Sequence, residues 1–212
     1  MIILKPSLLT LLILFSAVHN LKAEESVSAW DLVKNEKGIK VYTRTLAHSD
    51  YKEFKGIMTL ETKLDTLLKF INNAEHCPAW QYKCLKMLIL SNGYLYKLSD
   101  LPWPLSDRYT VMRSQGHFDQ KHNSYTLSLK NIPRNQLPQH ILQQLPAELD
   151  TIQMRSSDGY WHFQLSHTAA IRITYQMHGD PAGSLPANLA NLGVTNAAYI
   201  TLSKLREQIL AQ

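Results

Sequence analysis

The most distinctive segment of this 212-residue chain reads Leu101-Pro102-Trp103-Pro104-Leu105-Ser106-Asp107-Arg108. Its prolines fix the backbone and lack an N–H donor, so the segment cannot continue a central strand and is predicted to form an extended loop. Trp103 presents a large apolar ring between the prolines, which suits a gate or a plug of the core. Asp107 and Arg108 open the next strand with side chains on opposite faces, so we expect each to find a different partner.

Strand patterns lie on both sides of this loop. Apolar and polar residues alternate most clearly over 160–167 and 171–178, as expected for strands with one covered face. Asn92-Gly93 and Ser157-Asp158-Gly159 are predicted hairpin turns, which indicates antiparallel pairing. The predicted strands span residues 39–44, 51–60, 85–90, 94–98, 108–118, 125–130, 151–156, 160–167 and 171–178.

Helical patterns supply the cover that such a sheet needs. We predict a short helix over 26–36 that is stopped by Gly38, and another over 64–72. A long C-terminal helix begins after Pro186 with apolar residues at helical spacing, although Gly193 weakens it by about 1 kcal/mol relative to Ala. A long antiparallel sheet curved around one C-terminal helix is an α+β architecture, and it requires only a single domain.

The first 23 residues have the features of a secretory signal peptide. Lys5 precedes an apolar run over 8–18, which is too short for the roughly 20 residues that cross a bilayer. We predict cleavage after Ala23, so that the folded domain spans 24–212 and the protein is periplasmic or secreted. An uncleaved N-terminal anchor is the alternative.

The charge of the chain says little about its partners. The formal net charge is +5, and it falls to +3 when Lys5 and Lys22 leave with the signal peptide. The basic residues are dispersed and form no run, so we do not expect nucleic acid as a partner. A composition of 45% hydrophobic and 18% charged residues excludes a disordered or collagen-like chain and is typical of an ordinary globular domain.

Cys77 and Cys84 are the only cysteines of the sequence. Export would place them where disulfides persist. Seven residues of straight helix separate two Cα atoms by about 10 Å, whereas a disulfide needs about 4.4 to 6.8 Å. A bond therefore requires the chain to bend, and Pro78 can supply the bend. Unpaired thiols are the alternative, because His76 beside Cys77 does not complete a zinc-binding spacing.

Sequence motifs of catalysis are missing. The chain contains no Gly-x-Gly, no Gly-x-Ser-x-Gly and no His-Glu-x-x-His. Its histidines are scattered, and His162 and His167 lie five residues apart on a predicted strand, so they face opposite sides. We expect no metal, no cofactor and no enzymatic activity.

Three segments occur in an order and spacing that resemble the START (StAR-related lipid-transfer) domain, in particular its exported bacterial members. They are Trp30 with Gly38-Ile39-Lys40-Val41-Tyr42-Thr43-Arg44, the pattern Cys77-x-x-Trp80-x-x-x-Cys84, and the segment 102–108. The resemblance extends over residues 26–211. One departure is visible, because the family often continues Asp-Arg with a further Asp where this chain has Tyr109.

This resemblance implies a helix-grip fold, in which a curved antiparallel sheet grips a long C-terminal helix around a hydrophobic tunnel. Family members hold one lipid or sterol-like molecule in that tunnel. The resemblance also implies that the Trp103 loop gates the tunnel, that the C-terminal helix is its lid, and that Cys77 pairs with Cys84. The implied apolar lining is Trp103, Trp161, Phe163, Tyr175, Met177, Leu192, Tyr199 and Leu202.

Three hypotheses for function remain open at this point. The first is a monomeric periplasmic protein that binds a lipid or sterol-like ligand. Its candidates for headgroup contacts or buried ion pairs are Arg108, Arg155 and Arg172. Such a protein would touch membranes transiently. The second is a cyclase- or aromatase-like enzyme on the same fold, with acid–base candidates in His178, Tyr175 and Arg172. The third is a solid-cored module that binds partners in the cell envelope.

Overall fold

The computed structural model describes residues 28–147 and 150–212. The predicted signal peptide, residues 1–23, lies outside the described residues. Four α-helices occur in the described ranges: α1 Leu64–Ile71, α2 Cys77–Trp80, α3 Gln139–Leu142 and α4 Ala187–Leu210. The strands are β1 Asp31–Glu36, β2 Ile39–Leu46, β3 Ser49–Glu61, β4 Cys84–Ile89, β5 Tyr94–Ser99, β6 Arg108–Asp119, β7 Ser124–Asn131, β8 Ile152–Gln153, β9 Ser156–Leu165 and β10 Ala170–Asp180.

The strands of the described chain form one curved sheet in the order β1-β2-β3-β10-β9-β7-β6-β5-β4. Every neighbouring pair in this order is antiparallel, and the short β8 is added to β6 as a parallel partner. The long C-terminal helix α4 packs on β2 and β3. The predicted α+β helix-grip fold is therefore confirmed.

The N-terminal segment corrects one prediction. Residues 31–36 form the strand β1 and not a helix, and Glu36 pairs with Ile39 across a tight turn. Lys37 and Gly38 both have positive φ angles, 49° and 73°, which is the backbone that a two-residue hairpin requires. Gly38 therefore reverses the chain into a hairpin. A glycine after an amphipathic segment can mark the end of a helix or a hairpin turn, and the pairing of β1 with β2 decides for the turn.

A second correction concerns Ser157-Asp158-Gly159, which lies inside β9 and is not a hairpin turn. Gly159 pairs with Leu129 on one side and with Met177 on the other. An added Cβ at Gly159 would lie 2.1 Å from the carbonyl oxygen of Gln176. This glycine therefore allows the backbones of β9 and β10 to approach closely, a second use of glycine within strands.

The grip on α4 is tightest along its C-terminal half. Leu202 and Leu205 are fully buried, and an added Cβ at Gly56 of β3 would lie 2.7 Å from Leu202 Cδ1. The missing side chain at Gly56 thus lets the helix lie directly on the sheet. The N-terminal half of α4 has no buried residue before Ala198. This difference leaves a space between that half of the helix and the sheet.

The end of the sheet that contains β5 and β6 is covered on its outer face as well. Tyr96, Val111 and Ile141 are buried in a second apolar cluster, where α3 packs against the outer side of β5 and β6. The opposite faces of β5 and β6 are consequently directed to the interior of the fold. Among the described helices, none combines the length and the apolar character needed to cross a bilayer.

Candidate functional site

A cavity of about 570 Å³ lies between the inner face of the sheet and α4. Seven strands contribute to its wall, from β3 through β7 together with β9 and β10. Most of the lining side chains are apolar, among them Phe54, Met87, Leu95, Met112 and Leu129. A concave apolar site with a few polar groups is the usual form of a small-molecule pocket.

The floor of the cavity is a row of three side chains across neighbouring strands. Leu127 pairs with Trp161, and Trp161 pairs with Tyr175. The Trp161 and Tyr175 rings are stacked with their centroids 3.9 Å apart. Burial raises the pKa of the Tyr175 phenol above its ordinary range, so this hydroxyl stays neutral. The floor is therefore an uncharged aromatic surface.

Small residues form part of the helical side of the cavity. Ala190, Gly193 and Ala197 line it at helical spacing along α4. An added Cβ at Gly193 would meet no atom within 4 Å. Leu202 and Leu205 fill the space under the C-terminal half of α4, whereas these small residues leave the space under its N-terminal half open.

The loop between β5 and β6 closes one side of the cavity. Leu101, Pro102 and Leu105 line the cavity, whereas the Trp103 side chain is directed outwards and is 92% exposed. The Asp107 carboxylate accepts a hydrogen bond from the backbone N–H of Leu101 at 3.1 Å, which joins the two ends of the loop. Aliphatic side chains thus face the cavity while the Trp103 ring faces solvent.

Arg108 ties this loop to the segment that leads into α4. Its buried guanidinium donates hydrogen bonds to the carbonyl oxygens of Pro181 (2.6 Å), Ala182 (3.3 Å) and Ser106. No carboxylate of the described residues forms an ion pair with it, and burial is the main cause that lowers its pKa. The Arg108 guanidinium is therefore occupied by backbone carbonyl groups and is not half of an ion pair among the described residues. It is a clamp between two loops.

Cys77 and Cys84 form a disulfide, with their Cα atoms 5.9 Å apart. The turn α2 supplies the bend that the sequence spacing requires. Trp80 lies within the loop that the disulfide closes, is fully buried, and has its ring centroid 5.8 Å from that of Trp161. The disulfide therefore closes the loop that packs Trp80 against the cavity floor.

Sequence reasoning missed Lys97, a buried cation within the cavity wall. Although part of its side chain remains accessible, protein surrounds it, so the accessible part faces the cavity. Burial lowers the pKa of the Lys97 ammonium from 10.5 to about 8. The sequence contains a signal for the orientation of Lys97, because alternation along β5 puts Lys97 on the same face as Leu95 and opposite to Tyr96. Only the cover on both faces of β5 shows that neither face is solvent.

The structure places three of the eight proposed lining residues in the cavity wall: Trp161, Tyr175 and Met177. Trp103 and Leu192 are exposed instead, by 92% and 74%. The loop between β5 and β6 directs the Trp103 ring towards solvent. Leu192 follows Ala190 by two helical positions, which carries its side chain away from the cavity-facing stripe.

The other three positions lie in packed regions. Phe163 is fully buried two residues beyond Trp161 on β9, in the solid part of the core. Leu202 is fully buried against the sheet at Gly56. The ring of Tyr199 lies 4.3 Å from the ammonium of Lys34 on β1, towards the edge of the sheet. These three side chains lie outside the cavity wall, because helical and strand spacing identify an inward face but not what fills the space beneath it.

Two further arginines also lie outside the cavity. Arg155 forms an ion pair with Asp180 and its side chain is 72% exposed, so the pair is on the surface. Arg172 is exposed on the outer face of β10, opposite to Tyr175. His178 lines the cavity and its Nε2 lies 3.0 Å from Ser49 Oγ. The three acid–base candidates of the enzyme hypothesis therefore do not converge on one point.

We compared this architecture with those of known proteins. No protein-family model matches the sequence. A crystal structure of a STAR-related lipid transfer protein from Xanthomonas axonopodis superposes with a TM-score of 0.74 at 27% identity, over 86% of this chain and 99% of that one. The chain has a START-like fold.

Two further proteins are similar to this chain. Human StAR-related lipid transfer protein 5 shares the fold of the START-like domain, with a TM-score of 0.71 at 10% identity over 86% of both chains. An uncharacterized protein of Pseudomonas aeruginosa is 26% identical over 203 residues, which cover 94% of this chain and 96% of that protein. The START resemblance of the sequence is thereby confirmed.

Proposed function

We propose that this START-like domain binds one lipid or other hydrophobic molecule in its cavity and carries it through the periplasm. The observation that supports binding is the apolar cavity of about 570 Å³ beneath α4, which lies within the roughly 300 to 1,000 Å³ of typical ligand pockets. The similar Xanthomonas axonopodis protein is named for lipid transfer. A cavity of this size also removes the basis of the solid-cored hypothesis. The predicted signal peptide supports the periplasmic location.

The direct test is to express the full chain in a Gram-negative host and to recover it gently from the periplasmic fraction. We expect an N-terminal Glu24 and one equivalent of lipid in the solvent extract, measured by mass spectrometry. Protein that carries no lipid and takes up no fluorescent fatty-acid or sterol probe would contradict binding. Protein that stays attached to the inner membrane with residues 1–23 intact would contradict export, and would leave binding to be judged by the extract.

We further propose that Trp103 contacts the membrane during transfer. Its ring is almost wholly exposed, on a loop whose neighbouring residues line the cavity, and tryptophan favours the boundary between lipid and water. Trp103→Ser should slow the extraction of a fluorescent fatty acid from phosphatidylglycerol-containing vesicles by about tenfold, because apolar contact area is lost. Uptake of the same probe from solution should not change.

Phe118→Ser is a matched control for this variant. Phe118 is also an exposed aromatic residue, at 44%, but it lies near the opposite end of β6 from the Trp103 loop. Ten strand residues span about 33 Å. We expect normal vesicle extraction by Phe118→Ser, and an equal slowing by both variants would show that the effect is not specific to the cavity loop.

A further inference from the structure

Lys97 and Thr110 form a polar pair within an apolar part of the cavity wall. They lie directly opposite each other on β5 and β6, and both line the cavity. Directly opposed positions have Cβ atoms about 4.5 to 5.5 Å apart, so both side chains can reach one small group in the cavity. Met87 lies opposite Lys97 on the other side, and Met112 follows Thr110 along β6 on the same face.

Thr110 is a buried hydroxyl without a partner. It is 4% exposed, and its Oγ1 has no hydrogen-bond partner among the described residues. Buried side-chain hydroxyls are satisfied in most proteins, so an unsatisfied one needs an explanation. Because Thr110 lines the cavity, rotation about its χ1 bond can turn this hydroxyl towards a ligand atom, which would complete its hydrogen bonding.

The Lys97 ammonium also lacks a polar partner, and it carries a charge. No hydrogen bond or ion pair joins its ammonium to a described residue, and burial alone shifts its pKa to about 8, so the group is protonated at neutral pH. No carboxylate is found among the described lining residues, and α4 contributes no titratable group. The titratable groups that share the cavity with Lys97 are Tyr51, Lys52, Tyr82, Lys83, Tyr175 and His178.

A buried cation beside an unsatisfied hydroxyl is suited to one class of ligand group. Buried charges in proteins are normally paired, and an ammonium pairs most strongly with a carboxylate or phosphate oxygen. A neutral or cationic headgroup would leave Lys97 unpaired. The basic groups of the cavity reinforce this choice, because nothing acidic on its wall would repel an anion.

We propose that Lys97 and Thr110 anchor the anionic headgroup of the bound lipid, a carboxylate or a phosphate. The Lys97 ammonium pairs with one headgroup oxygen, and the Thr110 hydroxyl donates a hydrogen bond to the same group. The hydrocarbon chain lies along the apolar wall that includes Leu127 and Trp161. This inference names the ligand class of the proposed function and rests on it.

The test compares three ligands with the same chain: dodecanoate, dodecyl phosphate and dodecanol. Calorimetric titration of the delipidated protein at pH 7 should show both anions binding about 10- to 100-fold more tightly than the alcohol. Lys97→Met should abolish this preference without weakening dodecanol, and Lys97→Arg should retain part of it. Thr110→Val should reduce the preference by about threefold to tenfold. Lys86→Met, an exposed lysine on β4, is the matched control and should behave as the wild type.

The pH dependence provides a readout that loss of packing would not produce. Between pH 7 and pH 9 the Lys97 ammonium passes through its pKa of about 8, while the carboxylate stays ionised. Dodecanoate affinity should therefore fall by about tenfold, and dodecanol affinity should stay constant. The fall should be absent in Lys97→Met.

The outcomes separate this anchor from the proposed function. Equal binding of the anions and the alcohol to the wild type, or an unchanged preference in Lys97→Met, would overturn the anchor and leave lipid binding in place. Binding of the phosphate but not of the carboxylate would support the anchor and identify its headgroup. If none of the three ligands binds, the proposed function fails and the anchor fails with it.

Discussion

Lys97→Met should stabilise the ligand-free START-like domain by about 3 kcal/mol at pH 7. Burial lowers the pKa of Lys97 from 10.5 to about 8, and each pKa unit corresponds to about 1.4 kcal/mol of preference for the neutral form. Below pH 8 the folded protein holds the protonated ammonium in an apolar site, so it carries this penalty in full. Met has a similar length and no charge to desolvate.

The sign of the pH dependence follows from the same shift. Between pH 8 and pH 10.5 the unfolded chain keeps the proton on Lys97 and the folded chain releases it. The unfolded state then binds more protons, so the stability of the wild type rises with pH in this window relative to the variant. The advantage of Lys97→Met should shrink from about 3 kcal/mol at pH 7 to about 1 kcal/mol at pH 10.

Urea unfolding of delipidated protein at several pH values measures both quantities. Lys86→Met again serves as the control, because Lys86 is exposed on the neighbouring strand β4 and its replacement should change stability by less than about 0.5 kcal/mol at every pH. A gain in Lys97→Met that does not vary with pH would contradict the burial of a charged ammonium. Together with the expected loss of anion binding, this variant would exchange function for stability, as residues of binding sites often do.

Gly193→Phe should reduce ligand affinity at least about tenfold while the protein stays folded. Gly193 belongs to the small-residue stripe of α4 that lines the cavity, and an added Cβ there meets no atom within 4 Å. A phenyl ring can therefore enter the cavity without displacing protein atoms, and it occupies space that the ligand needs. Stability should rise by about 0.5 kcal/mol, because Phe is a better helix former than Gly.

Two controls keep this prediction specific to the cavity. Gly193→Ala adds one methyl group, so it should stabilise the helix by about 1 kcal/mol and keep ligand affinity. Asn196→Phe places the same ring on an exposed position of α4 and should leave binding unchanged. Fluorescent fatty-acid titration measures affinity in all three variants. Normal affinity in Gly193→Phe would show that ligand does not occupy the space beneath the N-terminal half of α4.

The fold was largely predictable because its signals are local. Alternation marks the inner faces of β7, β9 and β10, and helical spacing after Pro186 marks α4. The errors were local as well. The sequence predicts that Gly38 stops a helix and that Gly159 forms a turn, because a glycine indicates conformational freedom without indicating which partner uses it. Strand pairing with β2 and close contact with β10 decide those two cases.

The site was less predictable because it depends on distances between elements that are far apart in sequence. Periodicity places Phe163 and Trp161 on the same inward face, yet only Trp161 borders the cavity. The position of α4 makes the difference, since it touches the sheet at Gly56 and stands off where Ala190, Gly193 and Ala197 face it. The strand pattern likewise identifies the face of Lys97, but its enclosure depends on the cover that α3 and α4 place over the two sides of the sheet.

Most strands, the C-terminal helix, the apolar faces and the resemblance to START domains follow from the sequence, because side-chain periodicity and short motifs act over a few residues. The tertiary structure alone decided that the inner face encloses a cavity, that Trp103 faces solvent, that Arg108 joins two loops, and that Lys97 meets the cavity beside Thr110. These features depend on how closely α4 and the loops approach the sheet, and that approach is set by packing between distant parts of the chain.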